Sequence, residues 1–200
     1  MRSSCAPLAG LALLLACTQG GRQDSAAGRG SETGMTTDTA AVEDTAPSGT
    51  TSNEGKAILS GILSRLEVVN SAEIQLGELG AARAQSPDVR KIARQLVEDH
   101  MKNRAEVEAL ARRKGVAVLP PSAGNTAREI AGLKVLKGVQ FDSAYVAGQV
   151  DAHRANIDAI RNQLLPAARD ADVREFLQKT QATLEKHLAS LQAIQDQLQS

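Results

Sequence analysis

Apolar residues recur at every third or fourth position from Lys56 to the end of the chain, which is the spacing of one face of an α-helix. Helix-stopping residues divide this pattern: Ser86-Pro87-Asp88 is a capping sequence with proline in the first turn, and Gly115 and Pro120-Pro121 open a connection. The pattern therefore predicts helices over residues 56–84, 87–114, 126–137, 142–165 and 170–200.

Four of these five segments are long enough to pack side by side along their whole length. We predict an all-α protein, a ferritin-like four-helix bundle with a short extra helix in the connection between helices two and three. The connection over 115–140 can carry the chain back along the bundle as a single crossover, and an up-down-up-down bundle with a decorated loop is the alternative. Asp142, beside Phe141 and Tyr145, is predicted to be an N-cap with a small aromatic anchor at one end of the bundle.

The buried stripe of each long helix contains one ionisable side chain near its middle. All three histidines of the chain are among them, one on each of three helices, and a glutamate is on the fourth. Because each is close to a helix midpoint, the four share one level whichever way the helices run. The four positions are Glu73, His100, His153 and His187.

Two interpretations of this polar layer remain open. In the first, Glu73, His100, His153 and His187 bind one transition-metal ion (Zn, Fe, Cu or Mn), and Asp99 orients a ligand from outside. In the second, the layer is purely hydrogen-bonded, with Asp99, Gln149 or Tyr145 as partners, and sets the helix register of a structural or interaction module. A di-iron site is excluded by spacing, because no histidine follows a Glu-x-x pattern, so any metal site is mononuclear.

The first 17 residues have the layout of a bacterial export signal: Arg2, then an apolar run that is too short to span a membrane. The run ends in Leu14-Leu15-Ala16-Cys17, which resembles a lipobox, so Cys17 is predicted to carry a lipid; an ordinary secretory leader is the alternative. Residues 18–55 are rich in Gly, Ser and Thr and are predicted to be a flexible acidic tether, followed by the bundle domain over 56–200. This organisation predicts a protein anchored to the bacterial outer membrane and facing the periplasm.

Composition excludes several functions and suggests no reaction. The chain has 23 basic and 23 acidic residues, so its balance does not favour nucleic-acid binding. No Gly-rich phosphate loop, Gly-x-Ser-x-Gly elbow, HExxH or CxxC motif is present, and no enzymatic activity is predicted. With Cys5 in the leader and Cys17 lipidated, no cysteine chemistry remains for the mature protein. The predicted partners are the membrane, through the lipid, and an envelope protein.

Several short motifs together resemble one family. They are Ala72-Glu73-Ile74-Gln75-Leu76-Gly77, Asp99-His100, Phe141-Asp142 with Tyr145, His153, and His187-Leu188. In order and spacing they resemble domain-of-unknown-function family 4142 over residues 56–197. The resemblance implies a ferritin-like bundle in a bacterial exported protein, often a lipoprotein, and implies no reaction. Gln75 and Ala152 stand where that family often has acidic residues, which reduces the supply of carboxylates for a metal site.

Overall fold

The computed structural model describes residues 48–121 and 124–200, which are entirely helices and their connections. The predicted leader, the lipidated Cys17 and most of the predicted tether lie outside these residues. The described elements are α1 (Ser48–Arg83), α2 (Pro87–Lys114), α3 (Gly124–Lys134), α4 (Gly138–Ala159), a π-helical segment (Ile160–Leu164), α5 (Leu165–Ala167) and α6 (Ala171–Gln199). The all-α class, the four long helices and the short helix between the second and third are confirmed.

Two helical hairpins form the bundle, one from α1 and α2 and one from α4 and α6. The chain between the hairpins returns along α1. Near one end, Ser60 Oγ donates to the backbone oxygen of Ala117 at 2.6 Å. Near the other, Arg83 Nη2 donates to the backbone oxygens of Lys134 and Leu136 at 3.0 and 3.2 Å. Helices α2 and α4 therefore run in the same direction, and the predicted single long crossover is what the structure shows.

The ends of the helices follow local capping chemistry. Ser86 has an extended backbone and its side chain accepts from the backbone N–H of Val89, with Pro87 in the first turn of α2. Gly115 ends α2 with φ 62°, a left-handed conformation that favours glycine. Asp170 caps α6 by accepting from the backbone N–H groups of Asp172 and Val173. These three ends agree with the predicted boundaries.

Three helices differ from their predicted bounds. The short helix α3 spans Gly124–Lys134 instead of the predicted 126–137. Helix α1 begins at Ser48, eight residues before the predicted start at Lys56, so residues 48–55 of the predicted tether are helical. The third long helix begins at Gly138 and changes to π-helical geometry over Ile160–Leu164. Pro166 follows this segment; it has no N–H to donate, and its ring would collide with the carbonyl four residues earlier in a regular α-helix.

Asp142 does not cap its own helix, contrary to the prediction. The N-cap of α4 is Lys137, and Asp142 lies buried five residues further along the helix. Its two carboxylate oxygens accept from the backbone N–H groups of Gln85 and Ser86, at 2.9 and 2.7 Å. Asp142 therefore satisfies two backbone donors in the turn between α1 and α2, and it fixes one hairpin against the other.

The core consists of two apolar clusters. One, near the start of α1, contains Leu63, Leu110, Ile160 and Leu177 among others. The second, near the end of α1, contains Leu96, Phe141, Val146 and Leu191 among others. Buried polar side chains lie between the two clusters: Asn70, Glu73, His100, Gln149, His153, Thr180 and His187. No helix among the described residues combines the length and apolar content that crossing a membrane requires.

Candidate metal centre

Three histidine rings from three helices meet in this polar layer. His100 on α2, His153 on α4 and His187 on α6 are 4%, 0% and 2% exposed. Their ring centroids are 6.0 Å apart for His100 and His153, 5.8 Å for His100 and His187, and 5.5 Å for His153 and His187. Each ring offers one nitrogen, and these three nitrogens all lie within 4.8 Å of one another. The predicted convergence of the three histidines is therefore present.

Each ring donates one hydrogen bond to an acceptor outside the cluster. His100 Nδ1 lies 2.9 Å from Asn70 Oδ1, and His153 Nδ1 lies 2.9 Å from the backbone oxygen of Gln149. His187 Nε2 lies 3.0 Å from the Asp99 carboxylate. Carbonyl and carboxylate oxygens only accept, so in each pair the ring nitrogen carries the proton. This fixes the tautomer of all three rings.

The other nitrogen of each ring is left with a free lone pair. Nε2 of His100, Nε2 of His153 and Nδ1 of His187 are buried and have no hydrogen-bond partner among the residues that the structure describes. A buried polar atom without a partner costs about 1–3 kcal/mol. A bound cation or a hydrogen-bond donor such as water would satisfy these acceptors.

The environment keeps two of the imidazoles, those of His100 and His153, neutral, the form that binds metal. Burial, reinforced by the neighbouring histidines, lowers the pKa of His100 to about 3. Burial also lowers the pKa of His153 to about 4, partly opposed by the hydrogen bond to Gln149 and reinforced by His187. Both rings therefore keep their lone pairs available at neutral pH.

A chain of side chains continues from His100 towards the surface. Asn70 Nδ2 donates to Asn103 Oδ1 at 2.9 Å, and Asn103 Nδ2 donates to Thr180 Oγ1 at 2.8 Å. The ring of His100 is thereby held by residues from α1, α2 and α6. Sequence reasoning missed Asn70, although its place on the apolar stripe of α1, four residues after Leu66, was a visible signal.

Asp99 is the orienting carboxylate that the sequence predicted. Its side chain is 26% exposed, and besides His187 it contacts Lys102 Nζ at 3.5 Å. The hydrogen bond holds the His187 ring in one orientation. Of the other suggested partners, Gln149 contributes its backbone oxygen rather than its side chain, and the Tyr145 hydroxyl has no partner among the described residues.

Glu73 does not join the three histidines, which differs from the predicted set of four ligands. It is buried, 3% exposed, and its carboxyl interacts with the side chain of Gln149, one turn before His153. On α1 the residue at the level of the rings is Asn70, three positions earlier, or about 4.5 Å along the axis. The estimate from helix midpoints was therefore wrong by nearly one turn.

Little free space adjoins the rings. A cavity of about 10 Å³ borders His100, Asn70 and Thr180, close to the volume that one water molecule needs. His100 is the one histidine that lines this cavity, which has room for about one water molecule and not for an organic substrate.

The fold is similar to two solved structures of uncharacterised proteins. One is the crystal structure of a DUF305 fragment from Deinococcus radiodurans, with a TM-score of 0.62 and 16% identity, covering 70% of this chain and 96% of that chain. The other is a conserved hypothetical protein from Mycobacterium tuberculosis, with a TM-score of 0.57 and 17% identity, covering 71% and 93%. At such identities the likeness concerns the fold alone. No curated protein matches the sequence.

The resemblance noted from the short motifs is confirmed by comparison with protein families. Residues 41–194 match the family described as "Domain of unknown function (DUF4142)", which covers all four long helices except the last residues of α6. The chain therefore belongs to the DUF4142 family.

Proposed function

We propose that this protein binds one transition-metal ion through His100, His153 and His187. The observation that carries the proposal is the set of three buried ring nitrogens without partners, each on a ring whose other nitrogen is hydrogen-bonded. This is the usual arrangement of metal-binding histidines, whose second nitrogen donates to a carboxylate or carbonyl. Neutral imidazoles suit Zn, Cu and Fe.

The distances fit an ion after a small adjustment. Three nitrogens at ~2.0–2.1 Å from a tetrahedral ion are about 3.3 Å apart. The ring nitrogens here lie within 4.8 Å of one another, so each ring must move inward by roughly 1 Å. Rotation of each histidine side chain about χ1 and χ2 supplies such a movement without any shift of the helices.

The proposed role is binding or buffering of the ion rather than catalysis. A catalytic metal keeps an open position that a substrate can reach. The rings are at most 4% exposed, and the adjoining cavity holds about one water molecule. The fourth ligand is then a water or hydroxide.

The hydrogen-bonded layer, as the alternative, accounts for only half of the ring nitrogens. It explains why each histidine faces Asn70, Gln149 or Asp99. It does not explain three unpartnered acceptors pointing into one cluster, which together cost several kcal/mol. The metal proposal accounts for both nitrogens of every ring.

The test is metal content and zinc affinity of the untagged full-length chain. We expect about one ion per chain and loss of that ion in His153→Leu, because two imidazoles remain. Asp99→Asn should weaken binding about 10–100-fold by removing the carboxylate behind His187. Asp151→Asn is the matched control, since Asp151 is two residues from His153 on α4 but its side chain is 82% exposed. Unchanged stoichiometry in His153→Leu refutes the site.

We further propose that the protein is a lipoprotein of the bacterial envelope, anchored through Cys17 and facing the periplasm. The supporting observation is the leader with Leu14-Leu15-Ala16-Cys17 at its end. Metabolic labelling with a radioactive fatty acid tests it: the label should enter the full chain and be lost in Cys17→Ser. Cys5→Ser, inside the leader, is the matched control and should keep the label.

A further inference from the structure

A depression on the protein surface lies directly outside the histidine cluster, where α2 and α6 meet. It encloses about 190 Å³, and seven of the eight side chains that line it are polar or charged. It reaches the residues that orient two of the rings. Asp99, which accepts from His187, lines it, and so does Asn103, which is joined to His100 through Asn70. We call this space the outer depression.

Two side chains separate the outer depression from the interior. Asn103 and Thr180 line the depression, and they also line the cavity of about 10 Å³ that borders His100, the inner cavity. Asn103 Nδ2 donates to Thr180 Oγ1 at 2.8 Å, so one hydrogen bond closes the wall between the two spaces. The two residues are on α2 and α6, which belong to different hairpins. Separation of these two side chains would therefore connect His100 with the surface.

The inner cavity has a second side, formed by α1 and by the end of the third long helix. Exposed Arg65 and half-buried Asn156 are the polar residues there, and the other lining residues of that side are Leu66, Val69, Ala159, Ile160 and Leu164. A cation that loses water among apolar side chains gains nothing in return, and Arg65 repels it. The side formed by α2 and α6 offers oxygens instead, from Asn103 and Thr180.

The charges around the outer depression leave it open to a cation. Its two lysines are each paired with a carboxylate: Lys102 Nζ lies 3.5 Å from Asp99 Oδ1, and Lys179 Nζ lies 2.6 Å from Glu175 Oε1. Glu106 adds a further exposed carboxylate to the lining. The paired lysines therefore do not outweigh the carboxylates that attract a positive ion.

We propose that the metal ion enters and leaves the histidine site between α2 and α6, past the hydrogen bond that joins Asn103 and Thr180. The route rests on the metal site proposed above, since without a bound ion it has nothing to carry. The wall must open for passage in both directions, so the hydrogen bond slows binding and release alike. A residue that only supports the bound ion has a different signature, because its loss speeds release without speeding binding.

Zinc exchange by the untagged full-length chain measures the route. A fluorescent zinc indicator in rapid-mixing experiments reports uptake by the metal-free chain, and in excess it reports release from the loaded chain. Thr180→Ala removes the hydroxyl that accepts from Asn103, while His100 keeps its own acceptor, Asn70. Both binding and release should become faster by about fivefold, the factor that one typical hydrogen bond contributes.

Three variants serve as controls. Thr180→Ser keeps the hydroxyl and should exchange zinc at the wild-type rates. Thr183→Ala makes the same chemical change three residues further along α6, at a residue that also lines the outer depression. The Thr183 hydroxyl donates to the backbone oxygen of Lys179 at 3.2 Å, away from the wall, so both rates should stay unchanged. Asn156→Ala tests the side of the inner cavity formed by α1, and it should also leave both rates unchanged.

Each outcome supports or overturns the route. Faster binding together with faster release in Thr180→Ala, with wild-type rates in the three controls, supports it. Unchanged rates in Thr180→Ala overturn it, as does faster release without faster binding, which would make Thr180 a support of the bound ion. Faster exchange in Asn156→Ala alone places the route on the other side. Wild type that binds no zinc refutes the histidine site and the route with it, so the two failures are distinguishable.

Discussion

A histidine ring in a protein core has two nitrogens to satisfy, and its surroundings decide what the second one does. In this bundle Asn70, the backbone of Gln149 and Asp99 each accept from one nitrogen and turn the other towards the cluster. Two of these acceptors are carbonyls and one is a carboxylate, so none of them can donate back. The residues that orient the rings thus determine that the cluster is a set of acceptors.

Glu73 makes a residue-scale prediction about pH. Its pKa is raised to about 8 in the folded chain by burial, against a usual 4.5. Between these values the folded chain holds a proton that the unfolded chain releases, so this group's contribution to stability falls as pH rises. In Glu73→Gln that contribution is absent. The free energy of unfolding of wild type, minus that of Glu73→Gln, should therefore decrease by about 2 kcal/mol or more between about pH 5 and pH 8.

Urea unfolding of the metal-free chain across this range measures the effect. His100 and His153 contribute in the opposite sense, because their lowered pKa values make stability fall as pH decreases below about 6.5. They are present in both proteins and cancel in the comparison. Glu78→Gln, at an exposed position, provides the control. A difference between wild type and Glu73→Gln that does not vary with pH would show that Glu73 is ionised in the fold.

Sequence located the histidines and Asp99 but not their exact surroundings. Apolar periodicity identifies which face of a helix is buried, and that was enough for His100, His153 and His187. The axial level of a residue is set by the turn that joins two helices: Asn70 lies 13 residues before Arg83, where α1 ends, and His100 lies 13 residues after Pro87, where α2 begins. The estimate from helix midpoints was too coarse to separate Asn70 from Glu73, which is less than one turn away. The error placed Glu73 with the histidines and overlooked Asn70. The hydrogen bond between Gln85 and Asp142 joins residues that are 57 positions apart, so no local sequence pattern indicates it.

At the scale of elements, α1 approaches its neighbours closely through glycine. A Cβ on Gly80 would lie 2.5–2.9 Å from three atoms of the Tyr145 ring end, which is a collision. Gly61, on the same helix, has nothing within 4 Å of such an atom. Gly80→Ala should therefore destabilise the bundle by about 1–3 kcal/mol through overpacking. Gly61→Ala should stabilise it by about 0.5–1 kcal/mol, the normal gain of alanine in a helix.

The pair of glycine variants is informative because the same chemical change has opposite expected signs. Chemical denaturation midpoints of the two full-length variants measure it. Equal and favourable effects at both positions would mean that α1 and α4 separate enough to admit the methyl group. In that case the packing of Tyr145 against α1 would be looser than the distances indicate.

At the scale of the whole molecule, a polar layer divides the core into two apolar clusters. The layer weakens the metal-free bundle, since its unpartnered nitrogens and oxygens are buried at a cost. Helices α1, α2, α4 and α6 all contribute to it, so an ion bound there links both hairpins. If the proposed ion binds there, its affinity and the stability of the whole fold are coupled.

His153→Leu separates these two effects. His153 is 0% exposed, and its ring N–H donates to a backbone oxygen of its own helix. Leucine at this position therefore removes an unpartnered nitrogen and leaves no other side chain without a hydrogen-bond partner. The metal-free variant should be as stable as metal-free wild type or up to about 1 kcal/mol more stable. Zinc should raise the melting temperature of wild type but not of the variant. If the metal-free variant is instead destabilised by several kcal/mol, the result would support the alternative interpretation, in which the hydrogen bonds of the polar layer hold the bundle together.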